Sequence, residues 1–531
     1  MSLFRVDYAG LDYHCNMKYG KNIHIIGVAG TEGSALLDYL SQKYPEADFT
    51  AHDYSAKDEF LRHFKEAHIG MGRKEAVKMG KRLLEMPTVT FCFQDTYLDG
   101  IEKADTIFVP QSWYLYEQNN VLAQYHKKFC SITKLYFDLF PGKIIGVTGS
   151  NGKTTTTNLI ADVMKKYHPS TLISGNDRRS YQVLDQIEEK TAHDWLVLEI
   201  SNRQLMIDLG KSPDISVITN ITPNHLSEYK NFEEYVGVKR NIFMHQTENQ
   251  WAVLNVDDEE SAKINEHHDK GSLLFSTEEV LSKGAYIQFE NIVLKHADKE
   301  TVVMSVNEFP LKGQHNLSNA LATTAACHLA GVPAEEIAHA LKNVTPVPQR
   351  MELVQEVQGV KYYNDSASTV PESTIAAVEA LKEEGKNLTL IMGGKSKGSD
   401  YLAFVEKLKE NDPSILLIKS PVADEIQALN TGELSIVVVD TLSDALRLAA
   451  ESSATGDKVV LSPASEYFVF FRGKNDDYKM FRHLVKGLEG GEQEIPNPLE
   501  RRDHALGTRS NIIPKLRGSF PHWFDRVIRD E

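Results

Sequence analysis

One stretch, residues 143–166, constrains the fold of this chain more than any other: KIIGVTGSNGKTTTTNLIADVMKK. Its apolar start, IIGV, predicts a buried strand, and its later apolar residues recur at helical spacing (Leu159, Ile160, Val163, Met164). A glycine-containing loop, GSNGKT, lies between them. Strand, glycine loop and helix form the context of a phosphate-binding loop, because the loop N–H groups and the helix N-terminus attract an anion. The sequence therefore predicts an α/β domain built on a nucleotide site.

The details of the loop favour ATP over a purely structural glycine turn. Lys153 would reach the outer phosphates, and the hydroxyl of Thr154 would hold Mg²⁺. The full G-x-x-x-x-G-K-[ST] pattern is not met, because Val147 stands where its first glycine belongs. The shorter G-x-x-G-K-T form is present, between a predicted strand and a predicted helix. We expect these residues to bind ATP: Gly149, Ser150, Asn151, Gly152, Lys153, Thr154 and Thr155.

Composition narrows the function class. A length of 531 residues suggests about three domains. A net charge of −16 argues against a nucleic-acid partner. The four cysteines form no C-x-x-C pair, which argues against a disulfide framework or a zinc site. No signal peptide and no apolar run of the roughly 18–20 residues that span a membrane are present. We expect a cytoplasmic monomer without a membrane span.

The apolar pattern predicts an α/β fold class with three domains and a tail. Residues 1–142 predict an N-terminal Rossmann-like domain. Residues 143–346 predict a central P-loop ATPase domain with a mostly parallel sheet and an antiparallel insert near 285–313. After Pro346-Val347-Pro348, residues 347–490 predict a C-terminal doubly wound Rossmann-like domain. Residues 491–531 form an appendage that we expect to dock on the body or on a partner.

The first domain carries a glycine pattern of its own. Gly27, Gly30 and Gly33 follow a strand-like run, and Asp53 follows the next one. The spacing G-x-x-G-x-x-G differs from the G-x-G-x-x-G of dinucleotide-binding domains. Two interpretations are therefore open: the domain binds NAD or FAD, or it has a Rossmann-like fold with another function.

Three further residues follow predicted strands, where open α/β sheets bind ligands. Glu199 closes WLVLEI, His225 follows ISVITNI, and Lys239 lies in EYVGVKRNIF. Taken singly, they could equally be a cap, a loop histidine and a surface lysine. Their order along the chain connects them to a known pattern.

Seven motifs, in order, resemble those of the Mur ligases: GSNGKTT, LEISNRQL, TNITPNHL followed by Lys239, GQHNLSNA, YYNDSAST, IMGGKSKGSDY and LSPAS. The resemblance covers roughly residues 20–488 and is strongest after 143. It implies an ATP-dependent amide ligase of peptidoglycan precursor synthesis, adding D-glutamate to UDP-N-acetylmuramoyl-L-alanine through an acyl phosphate. Domain 1–142 would bind the UDP substrate, and domain 347–490 the amino acid. The alternatives are a paralogue that adds another amino acid, such as L-glutamate, or a catalytically weakened nucleotide-binding module.

The resemblance also implies residue roles. The catalytic residues would be Lys153, Glu199, His225 and Lys239, with Lys239 carbamylated. Two Mg²⁺ would be held by Thr154, Glu199, His225 and the modified Lys239. Asn316 and Asn319 would face the adenine, Arg350 the phosphates and Asp365 the ribose. Substrate-binding residues would be Asn176, Ser201, Thr369, Lys397 and Ser465, with Lys397 holding a carboxylate of the incoming amino acid.

Several positions depart from the family pattern near the substrates. Asn224 replaces an aspartate, Ala367 a lysine, and Tyr467 falls where a serine is expected. Pro110-Gln111-Ser112 replaces the S-P-G turn that commonly helps to bind UDP. These departures fit either compensated drift or an altered acceptor amino acid.

Overall fold

The computed structural model describes residues 18–68, 71–176, 182–224, 228–382, 385–395, 401–465 and 474–488, with backbone alone before 480 in the last range. His225, Lys397, Tyr467 and the appendage 491–531 lie outside the described residues. The chain divides into two compact units, Met1–Leu139 with Arg178–Glu189, and Phe140–Asp177 with Lys190–Glu531. In the part that the structure describes, no helix is long and apolar enough to cross a membrane.

The first unit is built on a five-stranded parallel sheet of order β3-β2-β1-β4-β5. Its elements are β1 (Asn22–Ile26), α1 (Thr31–Lys43), β2 (Asp48–Asp53), α2 (Phe60–Ala67), α3 (Arg73–Leu84), β3 (Val89–Phe93), β4 (Thr106–Phe108), β5 (Phe129–Cys130) and α4 (Ile132–Leu139). Strand β1 is almost wholly buried, as expected of a central parallel strand. The Rossmann-like topology predicted for this part is present.

A short segment beyond the predicted boundary at 142 belongs to the first unit. Residues Leu184–Glu189 form a 3-10 helix. The Tyr39 hydroxyl and the Lys43 ammonium, both on α1, donate to the Glu188 carboxylate. Sequence patterning assigned this segment to the central domain, because a contact between residues so far apart leaves no local signal.

The second unit contains a nine-stranded sheet of order β14-β13-β12-β11-β10-β9-β6-β8-β7. Its strands are β6 (Lys143–Thr148), β7 (Leu172–Gly175), β8 (Trp195–Glu199), β9 (Ile215–Ile218), β10 (Trp251–Asn255), β11 (Gly271–Ser276), β12 (Gly284–Gln288), β13 (Asn291–His296) and β14 (Lys299–Ser305). Its helices are α5 (Lys153–Tyr167), α6 (Phe232–Arg240), α7 (Glu259–His267), α8 (Gln314–Leu329) and α9 (Ala334–Lys342).

Strands β6 to β12 pair in parallel, and β12 to β14 form the predicted antiparallel insert. Its two hairpin turns place Phe289-Glu290 and Ala297-Asp298 at positive φ, the conformation of tight turns that match strand twist. The apolar residues of α5 that share helical spacing are buried against the sheet together with α8 and α9. Because β7 and β8 lie on one side of β6 and β9 on the other, the strand order reverses beside β6. Ligands of open α/β sheets bind at such a point.

The same unit carries a six-stranded sheet of order β15-β16-β20-β17-β18-β19. An antiparallel hairpin, β15 (Glu352–Val357) and β16 (Val360–Asn364), precedes the parallel strands β17 (Leu388–Met392), β18 (Ser414–Ile418), β19 (Ile436–Val439) and β20 (Lys458–Leu461). The helices are α10 (Pro371–Leu381), α11 (Tyr401–Asn411), α12 (Pro421–Leu429), α13 (Leu442–Ser452) and α14 (Lys474–Gly487). Two apolar clusters of this part are buried, one containing Phe481 and the other Phe404.

Candidate active site

The loop between β6 and α5 needs glycine at two positions. Gly152 precedes α5 with φ of 81°, and a Cβ there would lie 2.4 Å from the side-chain oxygen of Asn319. A Cβ on Gly149 would lie 1.9 Å from the Thr219 hydroxyl. Both positions therefore exclude any larger residue, and the backbone is held close to its neighbours.

Residues that follow β9 hold this loop through hydrogen bonds. The Asn151 N–H donates to the Asn220 side-chain oxygen at 2.9 Å, and the Thr219 hydroxyl donates to the Asn151 carbonyl at 2.5 Å. The Ser150 hydroxyl donates to the Thr222 carbonyl at 2.8 Å. Sequence reasoning did not assign a role to Thr219 or Asn220. Their position directly after a strand that neighbours β6 was the available signal.

Two lysines converge on the loop. Lys153 Nζ donates to the carbonyls of Gly149 and Ser150 at 2.7 and 2.8 Å. Lys239 Nζ, on α6, donates to the same Gly149 carbonyl at 2.8 Å. Lys239 is fully buried, and its ammonium lies 4.8 Å from the centre of the Tyr235 ring. The Tyr235 hydroxyl in turn hydrogen-bonds with the Ser150 hydroxyl at 2.9 Å.

Burial weakens the basicity of both lysines. It lowers the pKa of Lys153 to about 8, with Glu199 opposing the change and Arg350 adding to it. It lowers the pKa of Lys239 well below its ordinary value, and the charge of Lys153 lowers it further. Lys239 therefore loses its proton, and carries an uncharged amine, at a lower pH than a surface lysine does.

Glu199 presents an unused oxygen at the end of β8. Glu199 is 3 % exposed, and its Oε1 accepts a hydrogen bond from Asn176 Nδ2 at 2.9 Å. Oε2 is buried and accepts no hydrogen bond from the described residues. A buried carboxylate oxygen of this kind calls for a partner, and Mg²⁺ prefers such oxygen ligands. Glu199 Oε2 therefore has the chemistry of a magnesium ligand. The roles of Glu199 and Thr154 as metal ligands stay predictions. Within the described residues, no group of three or more His, Cys, Asp or Glu side chains forms a metal site.

The two asparagines predicted for the adenine side lie at the start of α8. Asn319 Oδ1 accepts a hydrogen bond from the Thr156 hydroxyl at 3.0 Å, and its Nδ2 donates to Asn316 Oδ1 at 3.4 Å. Asn316 Nδ2 donates to the Lys312 carbonyl at 2.7 Å. Both side chains are buried, and Asn319 attaches α8 to the first turn of α5.

The C-terminal part of the second unit also reaches the loop. Arg350 Nη2 donates to the Thr154 hydroxyl at 3.1 Å. The Ser373 hydroxyl, in the first turn of α10, donates to Asn151 Oδ1 at 3.2 Å. Nothing in the sequence pointed to Ser373, since the contact joins two domains.

Asp365 lies just after β16 in a buried polar setting. Its carboxylate accepts hydrogen bonds from the Ser462 hydroxyl at 2.8 Å and from the Met351 N–H at 3.1 Å. Burial nevertheless raises its pKa to about 6, because the hydrogen bonds and the Arg350 charge only partly offset desolvation.

Four of the residues predicted to bind substrate are described: Asn176, Ser201, Thr369 and Ser465. Asn176 donates a hydrogen bond to Glu199, as described above. The Ser201 N–H donates to Gln204 Oε1 at 2.9 Å, and the Ser465 hydroxyl donates to the Gly393 carbonyl at 2.7 Å. Thr369 is partly exposed just before α10. Ala367 stands where the family pattern has a lysine. Its N–H donates to the Gln349 carbonyl at 3.1 Å, so a backbone hydrogen bond holds the loop at this position. The roles of these residues stay predictions.

Comparisons with known proteins define the class of this chain. Residues 147–327 match the Mur ligase middle domain, and residues 349–465 match the Mur ligase, glutamate ligase domain. The chain belongs to the Mur ligase family, whose members are ATP-dependent ligases.

Two relatives that are similar in sequence carry the same name. A UDP-N-acetylmuramoylalanine--D-glutamate ligase from Acetivibrio thermocellus is 31% identical over 478 residues, 88% of this chain and 97% of the relative. A ligase of the same name from a Thermoanaerobacter species is 35% identical over 348 residues, 65% of this chain and 76% of the relative. In fold, the chain is similar to the MurF ligase from Thermotoga maritima in complex with ADP, with a TM-score of 0.54 at 18% identity over 87% of this chain and 95% of that one.

Proposed function

We propose that this chain joins D-glutamate to UDP-N-acetylmuramoyl-L-alanine at the expense of ATP, in the cytoplasm. The observation that carries the proposal is the convergence of Lys153 and Lys239 on the Gly149 carbonyl, beside the unpartnered oxygen of Glu199. The printed name of the relatives supports the choice of substrates. In this proposal the first domain binds the UDP part, the central domain ATP, and the C-terminal domain the amino acid.

The chemistry suits these residues. A carboxylate is a poor electrophile, so ATP first converts the muramoyl-alanine carboxylate to an acyl phosphate, which the amine of the amino acid then attacks. Lys153 neutralises charge on the transferred phosphoryl group, and the N-terminus of α5 attracts the phosphates. Thr154, Glu199 and His225 would hold Mg²⁺, which supplies Lewis-acid stabilisation of the phosphate oxygens. Arg350 donates a hydrogen bond to the Thr154 hydroxyl, and from this position it would bind a phosphate group of the nucleotide.

We further propose that Lys239 is carbamylated. Carbamylation requires an uncharged amine that reacts with CO₂, and the buried, low-pKa Lys239 offers one. The product carries a negative charge, so the modified side chain would be attracted by the Lys153 ammonium, which repels the protonated form of Lys239. A carbamate would also add oxygen ligands of the kind that Mg²⁺ prefers.

A second candidate acceptor is favoured by one observation. Ala367 replaces the family lysine, and its surroundings are held through backbone contacts to Gln349 without a cation at that position. A cation lost from the amino-acid side would alter which acceptor carboxylate is bound. The competing proposal is therefore a ligase of the same reaction type with another amino acid, such as L-glutamate.

Phosphate release separates these proposals. The chain would be assayed with ATP and UDP-N-acetylmuramoyl-L-alanine, separately with D-glutamate, L-glutamate and a panel of other amino acids. We expect turnover with D-glutamate, abolished in Lys153→Ala and retained in Lys165→Ala, an exposed lysine at the far end of α5. Turnover with another amino acid alone would establish the second candidate. Absence of turnover with every acceptor would refute both.

A further inference from the structure

An ion pair joins two segments at the carboxyl edge of the nine-stranded sheet. Arg203, which follows Glu199 and the end of β8, donates from Nε and Nη2 to the two carboxylate oxygens of Glu228 at 2.9 and 2.5 Å. Glu228 lies between β9 and α6. The side chain of Arg203 is 23 % exposed and that of Glu228 is 10 % exposed. Because a guanidinium and a carboxylate that share two parallel hydrogen bonds fit in one geometry, the pair fixes the distance and the orientation of the two segments.

The neighbouring residues continue this contact towards α6. Asn202 Nδ2 donates to the Tyr229 hydroxyl at 2.6 Å. The Tyr229 ring packs edge-on against the Tyr235 ring, with 5.3 Å between the ring centres and an angle of 70° between the planes. Tyr235 belongs to α6, the helix that also carries Lys239. The segment that begins at Glu228 is therefore in contact with both the end of β8 and α6.

Tyr235 carries the contact on to the phosphate-binding loop. The Ser150 hydroxyl donates its one proton to the Thr222 carbonyl, so the Tyr235 hydroxyl is the donor in its 2.9 Å hydrogen bond with Ser150. The Lys239 ammonium lies 4.8 Å from the centre of the Tyr235 ring. Tyr235 is 1 % exposed, so it has no free space in which to move independently of these neighbours. A displacement of Tyr229 therefore reaches Ser150 and Lys239 through Tyr235.

We propose that Arg203 and Glu228 are positioning residues for the nucleotide site. By holding the loop after β8 to the segment before α6, they set the position of Tyr235, and through it the positions of Ser150 and Lys239. They act through the two tyrosines and not on a phosphate themselves. Their effect on turnover rests on the proposed function, whereas their effect on nucleotide affinity does not.

A double-mutant cycle isolates the pair. The single variants are Arg203→Met and Glu228→Gln, each of which breaks the ion pair. The double variant also breaks it, but leaves neither charge without its partner. The same three substitutions at Arg447 and Glu451, an exposed ion pair on α13, are the matched control.

The first measurement is calorimetric titration of the full chain with a non-hydrolysable ATP analogue and Mg²⁺. We expect each single variant at Arg203 and Glu228 to raise the Kd for the analogue about 10-fold, with an unchanged stoichiometry, because small displacements at a phosphate site are costly. The double variant should bind no more weakly than the weaker single variant, since all three lose one and the same contact. The control variants should bind as the wild type does.

The stoichiometry separates positioning from a merely structural role. A partly unfolded variant binds with a reduced stoichiometry and an unchanged Kd, and that result overturns the proposal. A wild-type Kd in both single variants overturns it, as do losses in the single variants that add up in the double variant. Where a single variant does not fold, the double variant decides, and a wild-type Kd in the double variant overturns the proposal.

The ligase assay keeps this inference distinct from the proposed function. With UDP-N-acetylmuramoyl-L-alanine and D-glutamate, Glu228→Gln should raise the KM for ATP and lower kcat about 10-fold. Partial unfolding would lower kcat alone. Turnover by the wild type together with a wild-type Kd in the variants refutes the positioning role alone. Weaker analogue binding in the variants, without turnover by the wild type on any amino acid, refutes the proposed reaction alone.

Discussion

Lys153 and Lys239 donate hydrogen bonds to one and the same oxygen, the carbonyl of Gly149, at 2.7 and 2.8 Å. Two ammonium groups that share an acceptor in a buried setting repel each other, and the charge of Lys153 lowers the proton affinity of Lys239. Burial lowers the pKa of both lysines; the charge of Lys153 lowers that of Lys239 further, and the charge of Arg350 lowers that of Lys153. The arrangement would be relieved by an anion between the lysines, or by conversion of one lysine to an anion.

The carbamylation of Lys239 is testable by rescue. Lys239→Ala should lose most of the ligase activity, and short carboxylic acids should restore part of it by supplying the missing carboxylate. Lys230→Ala, an exposed lysine nearby in sequence, is the control and should keep full activity. A carbonyl signal from ¹³C-labelled bicarbonate, present in the wild type and absent from Lys239→Ala, would identify the carbamate directly. Failure of every acid to rescue, without such a signal, contradicts the modification.

Nucleotide binding should depend on pH through Lys153. Burial lowers the pKa of Lys153 to about 8, so in the free protein this amine loses its proton as the pH rises through 8. Bound phosphates favour the charged form, and ATP binding should therefore take up a proton above pH 8. We expect the affinity for ATP to fall as the pH rises from about 8 towards 10. Calorimetric titrations in buffers of different ionisation enthalpy measure the proton uptake. An affinity independent of pH over this range would contradict the assignment, as would a Lys153→Met variant with the same pH profile.

The same shift has a consequence for folding. Because the folded-state pKa of Lys153 is lowered, its contribution to stability is present above about 10.5 and lost as the pH falls through about 8.

Gly152 should tolerate no side chain. Gly152→Ala places a Cβ 2.4 Å from Asn319 Oδ1 at a φ of 81°, so it combines a steric clash with backbone strain. We expect a loss of about 1–3 kcal/mol in the free energy of unfolding, and weaker ATP binding. Gly237→Ala is the matched control, since a Cβ there meets no atom within 4 Å, and in helix α6 it should be neutral or stabilising by up to about 1 kcal/mol. Urea unfolding and ATP titration of both variants provide the measurement. Equal stability of the two variants would contradict the prediction.

We expect Asp365 to contribute to the pH dependence of the free energy of unfolding. Its pKa is raised to about 6 in the folded protein, so the folded state binds a proton that the unfolded state releases near its ordinary value of 3.8. The contribution of Asp365 to stability is therefore fully present below about 3.8 and is lost as the pH rises through 6. Between a pH below 3.8 and neutral pH, the contribution of Asp365 to the free energy of unfolding falls by on the order of 3 kcal/mol.

Asp365→Asn removes this titration. Urea unfolding at several pH values between 4 and 7 should show a flatter profile for Asp365→Asn than for the wild type. Asp424→Asn, an exposed acid at the start of α12, should keep the wild-type slope. A profile for Asp365→Asn that parallels the wild type would show that another group is responsible.

Local sequence was enough wherever structure depends on neighbouring residues. The strand–loop–helix around Gly149, the antiparallel insert and the α/β class follow from apolar spacing and turn residues, and all are present. Ordered motifs were enough to indicate the family. The position of Glu199 at the end of β8 also followed from the strand pattern, because the ends of parallel strands meet at one edge of a sheet. Lys239 was indicated only by the order of the family motifs.

Tertiary structure alone decided which of these groups touch. The sheet order β9-β6-β8 places Thr219 and Asn220 on the loop and Glu199 beside it. The packing of α6 brings Lys239 to Gly149, and the C-terminal part brings Ser373 to Asn151. In the first unit, the fold brings Gln111, which follows β4, to the Glu32 carboxylate in the first turn of α1. The sequence determined which chemical groups the chain carries, because composition and spacing are local. Their distances, burial and charges were decided by contacts between segments remote in sequence, which no local pattern encodes.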